Sequence, residues 1–184
     1  MRSDKDSHKI IDELSHADAL SVLRALADED ERLGRRIAEI ARGRLSDVDR
    51  EEIANALYAE LDTLDVEDVW DQAGSKRHGY VEPSEVAYQM VEEVLEPFLD
   101  ELRKYQKLGK PVEATQLCAG LLMGLYKFEG ESTSEFKDWA ADAPTSFAAE
   151  VVEAWKMGRP SDTDLVALKE FVQQELGVWG QNLL

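Results

Sequence analysis

One cysteine, Cys118, stands among 184 residues. A lone thiol excludes a disulfide framework and any multi-cysteine zinc or iron–sulfur site. Cations are scarce, with 21 Lys and Arg against 39 Asp and Glu, a formal charge of −18. A polyanion repels nucleic acid and anionic membranes, so neither is expected as a main ligand. Long hydrophobic runs are missing too. The longest nearly apolar stretch, Leu117 to Tyr126, is about half of the ~20 residues a membrane span needs. No segment alternates with the period of a strand, and β-branched residues never cluster. Catalytic signatures are lacking as well: there is no Gly-x-Ser-x-Gly elbow, Walker loop, dinucleotide fingerprint or His-Glu-x-x-His.

What is present is material for one core. Hydrophobic residues make up 43 % and aromatics 8 %, too much for a disordered chain. The length predicts a single domain over residues 1–184, with an N-terminal extension over 1–14 and a C-terminal tail over 177–184. The polar start, Met1 to Asp6, leads into no apolar core of a secretory signal, which predicts a soluble, cytoplasmic protein. Charge is uneven. Residues 1–50 hold 10 basic and 12 acidic side chains, whereas residues 51–184 hold 11 and 27. Hydration of a helical surface accounts for such an excess. Binding of a basic protein and a salt-loving host are the rarer explanations.

Helix punctuation recurs throughout. Ser15 and Asp18 have capping-box spacing ahead of Ala19, Leu20, Val22, Leu23 and Leu26. Asp28 is placed to cap a second helix with Leu33, Ile37, Ile40 and Ala41, ending near Gly43. The segment Ser46 to Asp49 starts a third, with Ile53, Ala54, Leu57, Tyr58 and Leu61, and Asp65 opens a short one carrying Val69 and Trp70. Residues 74–82 hold two glycines and no helical stripe and read as a loop. Pro83 suits the first turn of a long helix lined by Val86, Met90, Val91, Val94, Leu95, Phe98, Leu99 and Leu102, which Pro97 should kink or divide. After Gly109 and Pro111 comes a helix at 112–128 that is apolar nearly all round, the mark of a buried helix. Gly120 and Gly124, four apart, would let a neighbouring helix approach closely. Ser134 is placed to cap a helix with Phe136, Trp139 and Ala140 that Pro144 interrupts; Phe147, Val151, Val152 and Trp155 follow up to Gly158. Ser161 and Asp164 start a last helix. The expected fold is all-α: about eight helices, an irregular stack of antiparallel hairpins of TPR or HEAT type around the buried helix 112–128.

Few residues offer chemistry. Glu13 and His16 have the Glu-x-x-His spacing of di-iron bundles, but such a site needs two copies and further glutamates, so no metal is expected. Asp62, Asp65, Asp68 and Asp71 recur every three residues without the glycine and glutamate of a calcium loop, and helix capping explains them better. Glu92, Glu93, Glu96, Asp100 and Glu101 occupy the polar side of the long helix. Cys118 reads as an inert small hydrophobe. No catalytic residue and no cofactor is expected. The segment around 74–82 stands out, because Lys76, Arg77 and His78 sit between Trp70 and Tyr80 in the acidic part of the chain. Cationic donors flanked by aromatics can hold a carboxylate, a phosphate or an acidic peptide. An ordinary surface loop, anchored in the core by Trp70 and Tyr80, is the competing reading.

Four separated stretches carry a resemblance: Leu64 to Asp71, the turn Gly79 to Pro83, Leu95 to Leu99, and Gly120 to Phe128. Over roughly 45–130 the chain resembles an uncharacterised prokaryotic helical family, members of which occur with proteins carrying SWIM-type zinc fingers. The resemblance implies a TPR-like interaction or accessory domain and brings no activity. The zinc-finger ligands do not occur here, so nothing about zinc or DNA carries over. Two functions are therefore expected. One is a non-enzymatic module that binds another protein or peptide, a basic one among the options, with no nucleic acid and no membrane. The alternative is a small-molecule or metal-dependent enzyme whose pocket holds Arg77, His78 and Tyr80 with inward-turned carboxylates. A homodimer through exposed aromatics such as Trp179 is open to either.

Overall fold

Capping side chains set the helix starts. In the computed structural model, which describes residues 11, 13–45, 48–76 and 79–184, the chain divides into two compact units, 1–47 and 48–184. In the first, α1 (His16–Glu29) begins where the Ser15 hydroxyl accepts the Asp18 N–H at 3.2 Å. The second helix, α2 (Glu31–Leu45), is capped by Asp30 and not by Asp28: Asp30 Oδ1 accepts the N–H groups of Arg32 and Leu33 at 2.7 and 3.4 Å. Asp28 lies inside α1, which runs on to Glu29 and leaves Asp30 two residues ahead of the first free N–H of α2. The two helices pack with Gly34 over Ala27, where an added Cβ would meet the Ala27 carbonyl at 3.0 Å. Two short helices enclose little, and Leu20, Leu23, Leu26, Leu33 and Ile40 remain 38–54 % exposed.

The second unit is built on its central helix. Asp49 caps α3 (Arg50–Asp62) by accepting from Glu51 and Glu52 N–H, and Asp65 caps α4 (Val66–Gln72) through Glu67 N–H at 2.9 Å. Ser46 and Asp47 lie outside the described residues. After α4 the chain forms a small antiparallel hairpin where a loop is expected. Strand β1 (Gly74–Lys76) pairs with β2 (Gly79–Val81) in the register Gly74–Val81, Ser75–Tyr80 and Lys76–Gly79. Three residues per strand are too few to display an alternation, and the glycines supply positive φ at both ends, +93° at Gly74 and +139° at Gly79.

Helix α5 (Pro83–Lys107) runs through Pro97 as one helix. Pro97 is exposed, so the carbonyl it leaves without a partner faces water, while Leu95, Leu99 and Leu102 on the other side stay buried and hold both halves in register. Helix α6 (Pro111–Glu131) is the expected rod. Leu117, Cys118, Leu121, Leu122, Leu125 and Phe128 have no solvent exposure, although Val112 at its start is exposed. It touches α3, α5, α7 (Ala143–Met157) and α8 (Asp162–Phe171), and its most extensive partner is α3. The glycine pair explains that contact. A Cβ at Gly120 would lie 2.8 Å from Arg50 O and Ile53 Cβ, and one at Gly124 would lie 3.0 Å from Ala54 O.

A 3₁₀ turn (Glu135–Trp139), capped by Ser134, leads into α7, where Pro144 sits in the first turn. Ser161 and Asp164 make a full capping box at α8, which continues into a π turn (Val172–Leu176). Long-range polar contacts fasten the helix ends. Trp155 Nε1 donates to Thr115 Oγ1 at 3.1 Å, and Gln106 Nε2 donates to the carbonyls of Ala154 and Trp155 at 2.9 and 3.1 Å. The Trp179 indole, expected to be exposed, is half-buried: its N–H donates to Glu129 at 2.7 Å and its ring lies 5.4 Å from that of Tyr126. The described residues thus form eight α-helices and one minimal hairpin, an all-α fold, and among them no helix is long and apolar enough to cross a membrane.

Candidate functional site

The hairpin and the helix that follows it hold most of the residues that the sequence singles out. Short α4 delivers Trp70, whose ring meets Trp139 edge-on at 4.9 Å and 78° and yet remains 54 % exposed. Tyr80 stands opposite Ser75 on the hairpin and is 61 % exposed. Neither aromatic anchors the segment in the core. The core is anchored instead by Val69 and Val86 on either side. Of the three cations singled out between them, Lys76 closes β1, whereas Arg77 and His78 lie outside the described residues. Trp70 and Tyr80 each present a ring to solvent, and the ring partner of Trp70 is Trp139, not Tyr80.

Directly after the hairpin, the first turns of α5 form an open groove of about 620 Å³. Helical spacing puts Glu85, Gln89 and Glu92 on one face, and Glu82, Ser84 and Tyr88 complete the lining. Tyr88 is held by its ring, 4.5 Å from that of Phe147. Glu82, Glu85 and Glu92 make no ion pair with a residue whose side chain is described, a set that does not include Lys76, Arg77 and His78. Further along α5 the carboxylates are matched: Glu96 and Asp100 accept from Arg103 at 2.7 and 2.8 Å, and Glu101 lies 3.5 Å from Lys104. Among the described side chains, the polar side of α5 is therefore an acidic half without cationic partners followed by a paired one. The two halves look alike in sequence, since charge run and helical phase are the same in both.

The other singled-out residues have structural duties. Asp62 accepts the Ser132 hydroxyl at 2.6 Å, and Asp65 caps α4. Cys118 is fully buried, and burial pushes its thiol far above the ordinary range, which leaves no thiolate to act as a nucleophile near neutral pH. Among the described residues, no three His, Cys, Asp or Glu side chains converge as a metal site. Comparison with protein-family models, with curated proteins and with solved structures gives no match to this chain.

Proposed function

We propose that this chain is a non-enzymatic, TPR-like helical module that binds another protein, receiving a basic segment along the first half of α5. The observation that supports this reading is the row of carboxylates, Glu82, Glu85 and Glu92, without a partner among the described side chains, over an open groove. A Lys or Arg side chain laid there meets an exposed carboxylate, worth about 0.2–1 kcal/mol per pair. The exposed rings of Trp70 and Tyr80, on the elements that precede the groove in the chain, offer cation–π contacts of about 0.5–1 kcal/mol each. Over three carboxylates and two rings these amount to about 1.6–5 kcal/mol, an affinity in the millimolar range, suited to a transient partner. The likeness to helical accessory domains over residues 45–130 agrees with such a role, and so does an acidic excess concentrated after residue 50.

A net charge of −18 attracts any polycation, so the test separates the groove from the general field. Fluorescein-labelled oligolysine is titrated with the wild type, with Glu82→Gln/Glu85→Gln/Glu92→Gln, and with Glu150→Gln/Glu170→Gln/Glu175→Gln. The two triple variants carry the same net charge. The proposal expects the first to weaken binding about tenfold more than the second, and Trp70→Ala/Tyr80→Ala to weaken it as well. Equal loss in both triple variants would mean diffuse attraction and would end the proposal.

A further inference from the structure

A second concavity lies where three helix ends meet, away from the groove in sequence. The end of α5 (Gln106, Gly109), the start of α6 (Lys110, Pro111, Ala114) and the end of α7 (Trp155, Arg159, Pro160) enclose about 300 Å³. That is the lower end of the range for small-ligand pockets, room for a molecule of on the order of ten non-hydrogen atoms. Its walls are mixed. Trp155, Ala114 and the two prolines give an apolar lining, and two cations, Lys110 and Arg159, border it within a strongly acidic chain.

The two cations differ in availability. Lys110 Nζ is held by Glu113 at 2.7 Å. The Arg159 guanidinium has no hydrogen-bond or ion-pair partner among the described residues. Its backbone is costly: φ is +55°, the left-handed region, where glycine would sit without a steric penalty. What arginine adds there is the side chain, a planar fork that matches a carboxylate with two parallel hydrogen bonds. The surroundings favour an anion further. Lys110 precedes α6 with no side-chain cap on that helix, so the positive end of a 21-residue helix, offset in part by Glu113 in its first turn, lies beside the cavity. The Gln106 amide nitrogen donates to the carbonyls of Ala154 and Trp155, so two of the C-terminal acceptors of α7 are already engaged.

We propose that this cavity binds a small monocarboxylate with a flat or short apolar body, the carboxylate on Arg159 and the body against Pro111, Trp155 and Pro160. One unmatched guanidinium supplies one positive charge, which suits a monoanion better than phosphate. A ligand this small binds in the millimolar range.

The full chain, labelled with ¹⁵N, is titrated with sodium benzoate, with benzyl alcohol as the uncharged match and with inorganic phosphate. Benzoate is expected to give saturable shifts at the Gly109, Gly158 and Arg159 amides and at the Trp155 indole N–H, assigned through Trp155→Phe. Benzyl alcohol and phosphate are expected to bind at least about tenfold more weakly. Arg159→Gly keeps the left-handed backbone, so it should fold and lose at least about tenfold in benzoate affinity. The proposal is overturned by absence of saturation, by shifts scattered over the surface, by equal response to benzyl alcohol or phosphate, or by unchanged affinity in Arg159→Gly.

Discussion

Replacing one glycine at a time by alanine along α6 should give opposite signs within a single helix. Every such change gains about 1 kcal/mol of helix propensity, because alanine loses less backbone freedom. At Gly120 the new methyl would lie 2.8 Å from both Arg50 O and Ile53 Cβ. Arg50 O is backbone within the first turn of α3, so no side-chain rotation relieves the clash and α3 itself must shift. Overpacking of that kind costs about 1–3 kcal/mol. Gly120→Ala should therefore lose a net of up to ~2 kcal/mol. At Gly124 the closest atoms are 3.0–3.1 Å away, and the two terms should nearly cancel. Gly130, in the last turn of the same helix, has nothing within 4 Å of where its added methyl would stand, so Gly130→Ala should gain up to ~1 kcal/mol. Urea unfolding followed by tryptophan emission measures the series. Trp70, Trp139, Trp155 and Trp179 all belong to the second unit, so the signal reports on it alone. The expected order of midpoints is Gly130→Ala, wild type, Gly120→Ala, with slopes unchanged. If Gly120→Ala were as stable as Gly130→Ala, the close approach of α3 to α6 would be refuted, and the glycine pair would lose its explanation.

Three further outcomes follow from the same packing. Thr115→Val removes the acceptor of the buried Trp155 indole and should cost about 1–3 kcal/mol, and the double variant with Trp155→Phe should cost less than the sum, as read in a double-mutant cycle by urea unfolding. Burial raises the Cys118 thiol above its unfolded value of about 8.5, so the folded state retains a proton that the unfolded state releases. Stability from this group is whole below that pH and declines above it by up to ~1.4 kcal/mol per pH unit, a slope that should be absent in Cys118→Ala; a thiol reagent at neutral pH should label Cys118 only through unfolding. In hydrogen exchange the amides of α6 should be protected to the level of global unfolding, whereas those of α1 and α2, where no described residue from 13 to 45 is fully buried, should exchange faster by orders of magnitude; equal protection of α1 and α2 would refute this ranking.

Local chemistry made much of the architecture readable from sequence. Ser15, Asp65, Ser134 and Ser161 cap where their hydroxyls and carboxylates imply, since a cap depends only on residues two or three positions away. The buried rod announced itself by having no polar side, and Gly120 with Gly124 announced a close neighbour. Which neighbour was not legible. The partner is α3, separated from α6 by the hairpin and the whole of α5, and periodicity describes a face without saying what covers it. The same gap explains α1 and α2, whose leucine stripe satisfies every sequence criterion of a core helix and yet stays substantially exposed. Pro97 failed to break α5 for a related reason, since burial on the opposite side of the helix decides whether one missing hydrogen bond matters.

The two concavities were harder to foresee, each for its own physical cause. The acidic groove is a matter of subtraction. Glu85 and Glu92 look like Glu96 and Asp100 in sequence, and they differ only in that Arg103 lies within reach of the latter pair and no described cation pairs with the former. The cavity at Arg159 joins positions about fifty residues apart, so its local traces are ordinary helix stops, Gly109 before Pro111 and Gly158 before Pro160. The residue between the second pair was the available clue. A left-handed turn after a helix is a glycine's place. An arginine there spends conformational energy to put a charge at one spot, and charge held at such a cost, beside an apolar wall, belongs to recognition more than to folding.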